Sequence, residues 1–213
     1  MYTCADCKMH DCEEQERNPG RMPKNCPQHD KEYLEEIYDG YISNKEINKF
    51  YVATKSCGVA NRPSFTPRLR VVIELCKKMG YKKIGFAFCV GFKKEAALYA
   101  GILRRHGLEV VSVCCLNGGF NIADYGVKLP EGCEFDPACN PLGQARLMNE
   151  QKVEFNLVMG LCCGHDSMFM KAADAMSTVV AVKDPATGHN PVMALHLYDA
   201  YYKPYLEPDE AEC

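Results

Sequence analysis

From Lys83 onward, short apolar runs alternate with stretches of helical periodicity, and this alternation restricts the fold more than any other feature of the chain. Lys83 to Cys89, Glu109 to Cys115, Glu154 to Leu161 and Ser177 to Lys183 each read as a strand. Between them lie an amphipathic helix from Phe92 to His106, stopped by Gly107, and helices from Pro141 to about Lys152 and from Asp166 to about Ala173. Pro191 opens a last helix. Strands separated by helices require crossover connections, so they run parallel and carry helices on both faces. The expected fold is α/β, a three-layer Rossmann- or flavodoxin-like sandwich with a parallel sheet of about four strands.

The chain ahead of this pattern is different. Residues 1–30 hold Cys4, Cys7, Cys12 and Cys26 among prolines and polar residues, with almost no aliphatic side chains. Such a segment has no core of its own and calls for a staple, which metal binding supplies as folding energy. Asp30 then caps a helical pattern through Tyr33, Leu34, Ile37, Tyr38 and Tyr41, and a second helix is expected from Asn44 to Ser56. Thr66 and Pro67 start a third, which Gly80 stops. Two domains are expected: a Cys-rich metal-binding segment, 1–30, and an α/β domain, 31–213.

Fourteen cysteines need a chemical setting. The longest apolar stretches fall far below the roughly 20 residues that cross a bilayer, and the start, MYTCADCKMHDCEE, has polar and acidic residues where a secretory signal has an apolar run. The net charge of −3 is spread without a basic block, so neither nucleic acid nor an anionic membrane is an expected partner. A cytoplasmic location follows. In a reducing compartment, cysteine richness points to metal or redox chemistry, not to a disulfide framework.

The cysteines stand where strands end. In open α/β sheets the ligand crevice lies beyond the carboxyl ends of the strands, at the point where strand order reverses. Cys89, Cys115 and Cys162 end the first three strands, and Cys139 precedes a helix starting on the same edge. With strand order 2-1-3-4, Cys89 and Cys162 become neighbours and four thiols converge on one rim, matching a tetrahedral zinc or an iron–sulfur site. A helix N-terminus after Cys89, Cys139 and Cys162 favours thiolate over thiol. Gly91 and Gly164 remove a side chain beside the expected cofactor, and Asn140 and Asn190, each followed by proline, are plausible N-caps at the same edge. His165, Asp166, Lys183 and His189 are candidates for stabilising charge or moving a proton there; the plainer reading is that Asp166 or Ser167 caps the helix. His10 and His29 are substitutes for a cysteine in the amino-terminal set. Cys76, on an apolar helical face, reads as core, Cys114 as buried, and Cys213 as a bystander; Cys57, Cys133 and Cys163 are undecided.

In order, "CADCKMHDC" with a later "CP", "IGFAFCVGFKKEA", "EVVSVCC", "CNPLGQARLMNE", "GLCCGHDSMFMK" and "VKDPATGHNPVMAL" resemble a Cys-rich family catalogued as domain of unknown function 1847. The resemblance covers nearly the whole chain. It implies a cytosolic prokaryotic protein, often from anaerobes, with metal bound by cysteines. It marks Cys4, Cys7, Cys12, Cys26, Cys89, Cys115, Cys139 and Cys162, together with His165, Asp166, His189 and Asn190. The chain departs at Leu116, where relatives usually carry Lys, and at Pro185, where they usually carry Arg.

Three functions are consistent with this pattern. The first is an iron–sulfur redox protein with two clusters of the [4Fe-4S] kind, exchanging electrons with a partner protein or a small molecule held by His165, Lys183 and His189. The second is a zinc protein with structural Cys4 sites and a crevice for a ligand or partner. The third is a sulfur carrier in which Cys162 and Cys163 act in turn. A nucleotide-phosphate site is not expected, because Cys89-Val90-Gly91 stands where G-x-G-x-x-G would follow the first strand.

Overall fold

The computed structural model describes residues 1–8, 11–14, 18, 20–57 and 66–208; His10 and Cys213 lie outside them. Two compact units are present, Met1–Asn61 and Arg62–Cys213.

In the first unit, the loop that carries the cysteines is tied to the start of the chain by Asn25, whose Nδ2 donates to Met1 O at 3.0 Å and to Thr3 Oγ1 at 2.8 Å. Two helices follow, α1 (Lys31–Ser43) and α2 (Lys45–Ser56). Both begin where expected, because each has a capping side chain: Asp30 Oδ1 accepts from Tyr33 N, and Asn44 Oδ1 accepts from Glu46 N and Ile47 N. Tyr41 and Tyr51 join them across the turn, with ring centroids 5.4 Å apart.

The second unit is built on a sheet of four parallel strands, β1 (Lys83–Phe88), β2 (Glu109–Cys114), β3 (Phe155–Met159) and β4 (Ser177–Ala181), in the order β2-β1-β3-β4. This is the Rossmann- or flavodoxin-like arrangement expected from the strand–helix alternation. Helix α3 (Arg68–Met79) precedes the sheet, while α4 (Lys93–Arg105), α5 (Pro141–Glu150) and α6 (His165–Ala172) make its crossovers. Two short helices, α7 (Val192–His196) and α8 (Lys203–Leu206), follow β4.

Alternation along β1 explains why both faces are covered. Phe86 points to one face, where its ring meets Tyr99 of α4 at 5.8 Å, and the Tyr99 hydroxyl donates to Leu69 O of α3 at 2.8 Å. Gly85 points to the other face, where a Cβ would overlap Asn156 and come within 2.8 Å of Met148 Sδ of α5. Every residue of β3 is buried, as a central strand covered on both faces must be. The core therefore joins Ile84, Phe86, Leu103, Phe155, Leu157 and Phe169, all completely or almost completely buried. Two polar side chains share it. Asn156 Nδ2 donates to Ala175 O at 3.1 Å, and Gln144 Nε2 donates to Val113 O at 2.8 Å and to Phe88 O at 3.3 Å. Strand order reverses between β1 and β3, so the crevice predicted by topology opens beyond Phe88 and Met159.

Candidate metal centre

Each strand of the central pair hands the chain to a helix through a cysteine at that crevice. Cys89 leaves β1 with its N–H donating to Met159 O of β3 at 3.0 Å, and a short turn leads into α4. Cys162 follows β3, and its carbonyl accepts from His165 N at 2.9 Å as α6 begins. From the opposite side, Asn140 N donates to Cys115 O at 2.7 Å, which brings the end of the long loop after β2, and with it Cys139, back to the strand ends. Asn140 also caps α5 through Oδ1 to Gly143 N at 2.8 Å.

The result is a single closely packed pocket walled by Cys89, Cys115, Cys139, Cys162, His165 and Gln144. Within it, one ligand atom from each of Cys139, Cys162 and His165 lies within 4.8 Å of the other two, close enough to hold one metal ion. Cys89 and Cys115 stand outside this triple. They are 2% and 3% exposed, whereas Cys139, Cys162 and His165 are half-buried. The pocket thus has a sulfur floor and a mixed sulfur–imidazole mouth.

Lys183 lies at the mouth. Its Nζ donates to Cys162 Sγ at 3.4 Å and to Cys89 Sγ at 3.5 Å, so one ammonium bridges the ends of β1 and β3. Partial burial works to lower the Lys183 pKa; the two sulfurs beside it outweigh that and hold it above the ordinary lysine value. On the floor, burial pushes the Cys115 thiol up strongly, although Val90 N donates to its Sγ at 3.4 Å and opposes the rise. Burial also raises Cys139, against a hydrogen bond with Cys115 and the charge of Lys183. Without a metal, Cys115 and Cys139 favour the protonated form; a cation beside them reverses that preference.

Other candidates serve neighbouring structure. Asp166 Oδ1 accepts from Gly164 N at 3.1 Å and Ser167 N at 2.8 Å within the first turn of α6, whose N-cap is Gly164. His189, at φ 69°, accepts from Asp184 N through Nδ1 at 3.1 Å and lays its ring against Phe92 at 4.5 Å, which folds the loop after Lys183. Asn190 O accepts from Met193 N at 2.9 Å. Gly164 has φ 87°, a left-handed conformation that suits glycine, while a Cβ on Gly91 would make ordinary contact with Cys89 Sγ at 3.8 Å. In the first unit, Cys4, Cys7 and Cys26 line a pocket with Thr3, Pro23 and Asn25, and Cys12 is exposed. Among the described residues these four do not form a triple as tight as that of Cys139, Cys162 and His165.

Two contributors carried no signal that sequence reasoning used. Gln144 sits one turn into α5 on the same buried face as Ala145 and Met148, a polar residue in an apolar stripe. Gly160, at φ 64°, leaves the space that Phe92 fills beneath the rim.

Known proteins extend the picture. A family model described as "Protein of unknown function (DUF1847)" matches residues 26–180. Over 135 residues, 63% of this chain and 68% of the relative, the sequence is 44% identical to uncharacterized protein MJ0455 of Methanocaldococcus jannaschii. Among the described residues no helix is long and apolar enough to cross a membrane.

Proposed function

The chain belongs to the DUF1847 family, and from that premise we propose that it works through a metal–thiolate centre in which Cys139, Cys162 and His165 hold one thiophilic divalent ion, zinc. The observation that carries this reading is the mutual closeness of those three ligand atoms, within 4.8 Å. Sulfurs on one tetrahedral zinc, each about 2.3 Å from the ion, lie about 3.8 Å apart, so a small closure of the rim suffices. Two thiolates and one imidazole are also a soft donor set, suited to zinc and poorly suited to magnesium or calcium. Bound there, the ion acts as a Lewis acid and charge centre. The protein's part is to orient the donors through the starts of α5 and α6 and to set Lys183 against their negative charge.

An iron–sulfur redox role is the second reading, favoured by the surplus of sulfur. Cys89 and Cys115 line the same pocket as Cys139 and Cys162, and Lys183 donates to two of these sulfurs, the kind of contact that tunes a cluster potential. Cys4, Cys7, Cys12 and Cys26 would hold the second cluster of that reading, or a zinc ion stapling their segment.

Metal and acid-labile sulfide analysis of protein purified without oxygen separates the two. Zinc without sulfide, lost from the rim in Cys139→Ser, supports the first reading. A brown protein with iron and sulfide, bleached by Cys89→Ala, replaces it with the second.

A further inference from the structure

We propose that the chain binds a small organic cation, of the methylated or quaternary ammonium class, in the cavity between the loop after Lys183 and the helical arm that follows it. The inference goes beyond the metal reading and does not depend on it.

The cavity measures about 370 Å³, within the range of small-molecule sites. The loop contributes Asp184, Ala186 and Thr187 to its wall, and the arm contributes Tyr201, Tyr202 and Tyr205. That arm runs through α7, a π-helical turn (Tyr198–Tyr202) and α8. Tyr202 pins it to the loop, its hydroxyl donating to Ala186 O at 2.9 Å. The three rings pack on one another, with centroids 5.0 Å apart for Tyr201 and Tyr202, 6.3 Å for Tyr201 and Tyr205 and 6.4 Å for Tyr202 and Tyr205, so they make one continuous aromatic wall. Yet Tyr201 is 63% exposed and Tyr205 73%. A contiguous aromatic surface left open beside a cavity is the mark of a surface that a ligand covers.

Charge selects the ligand. Asp184 supplies the one carboxylate in the wall, and among the described residues no cation pairs with it. Thr187 Oγ1 donates to Asp184 Oδ2 at 2.6 Å and fixes its orientation. The lysines nearest in the chain are engaged elsewhere: Lys183 Nζ donates to the Cys162 and Cys89 sulfurs, and Lys203 Nζ lies 5.9 Å from the centroid of the Tyr198 ring. An anion in the cavity would meet an uncompensated carboxylate, and a neutral guest would desolvate it with nothing in return. One carboxylate is also too few ligands for magnesium or calcium. An organic cation satisfies both parts of the wall. Its charge faces the carboxylate, and its methyl groups lie against electron-rich rings, an attraction that grows as water is excluded. A primary ammonium, being strongly hydrated, gives up more on leaving water, so methylation favours entry.

The test titrates the full chain with choline chloride at constant ionic strength, beside dimethylbutanol, its uncharged carbon isostere. Broadening of the ligand methyl proton resonance reads the binding. Choline is expected to saturate one site and the isostere to bind about tenfold more weakly or not at all. Asp184→Asn should weaken choline about tenfold, and Tyr201→Leu and Tyr205→Leu about threefold or more each. The two tyrosines are exposed, so their substitutions decide the matter even if Asp184→Asn fails to fold. Absence of saturable choline binding, or an isostere that binds equally well, overturns the inference. Choline binding that neither tyrosine substitution changes places the cation elsewhere and overturns it too. Each of these results leaves the metal reading untouched, because none of the substituted residues belongs to the triple at Cys139, Cys162 and His165.

Discussion

The Lys183 ammonium lies 3.4 Å from the Cys162 sulfur, which couples the end of β4 to the turn that follows β3. The same ammonium reaches Cys89 at 3.5 Å, beyond β1. One cation therefore spans the switch point of the sheet and faces the sulfurs that topology gathers there. Such a contact acts on a bound metal through its ligands, by offsetting thiolate charge.

Replacing Lys183 with Met removes that compensation and keeps most of the side chain's bulk. Zinc affinity is expected to fall by about tenfold, the lower end of what outer partners of metal ligands contribute. Competition with a chromophoric chelator measures it. Unchanged affinity would show that the lysine is a bystander to the metal.

Donor substitutions should separate the triple from its surroundings. Cys139→Ser, Cys162→Ser and His165→Ala are expected to abolish tight binding at the rim, whereas Cys163→Ser, on an exposed side chain, leaves it intact. Because burial keeps Cys139 protonated in the metal-free protein, binding must expel protons, so affinity should fall steadily as pH falls. Isothermal titration in buffers of different ionisation enthalpy counts those protons. Binding that releases none would contradict the thiolate ligation.

Alkaline stability of the metal-free protein follows from groups held protonated by burial. Tyr99 is raised above the ordinary 10.0, mainly by desolvation, and Cys115 above 9.0 for the same first reason. Once pH passes those ordinary values, the unfolded chain releases protons that the folded chain retains. The folded state then holds more protons, and stability must fall as pH rises. Urea unfolding is expected to show a decline beginning near pH 9 and steepening near 10, and Tyr99→Phe should flatten the upper part. A flat profile across that range would contradict the assignment.

Two glycines near the rim should respond in opposite ways. A Cβ on Gly160 meets Phe92 in a backbone of φ 64°, so Gly160→Ala is expected to cost about 1–3 kcal/mol by crowding alone. Gly91→Ala places its methyl at an ordinary 3.8 Å from Cys89 Sγ and should stay within about 0.5 kcal/mol. Denaturant midpoints compare them directly. Equal effects would mean that the space beneath the rim is not set by Phe92.

What could be read from residues alone is what local periodicity and capping control. The strand–helix alternation after Lys83, the caps at Asp30, Asn44 and Asn140, and the stop at Gly80 depend on neighbours a few positions away, so they stand in the sequence in plain form. The gathering of Cys89, Cys115, Cys139 and Cys162 at one edge was also legible, because parallel strands in the order 2-1-3-4 leave no other place for them. Which donors stand closest was decided by tertiary structure. Burial sank Cys89 and Cys115 to the floor, the first turn of α6 carried His165 up beside Cys139 and Cys162, and packing against the ends of β1 and β2 turned Gln144 into the wall. Periodicity assigns a side chain to a face of its own element; depth and distance to a partner 20 or more residues away depend on how separate elements pack, and only the folded sheet edge settles those.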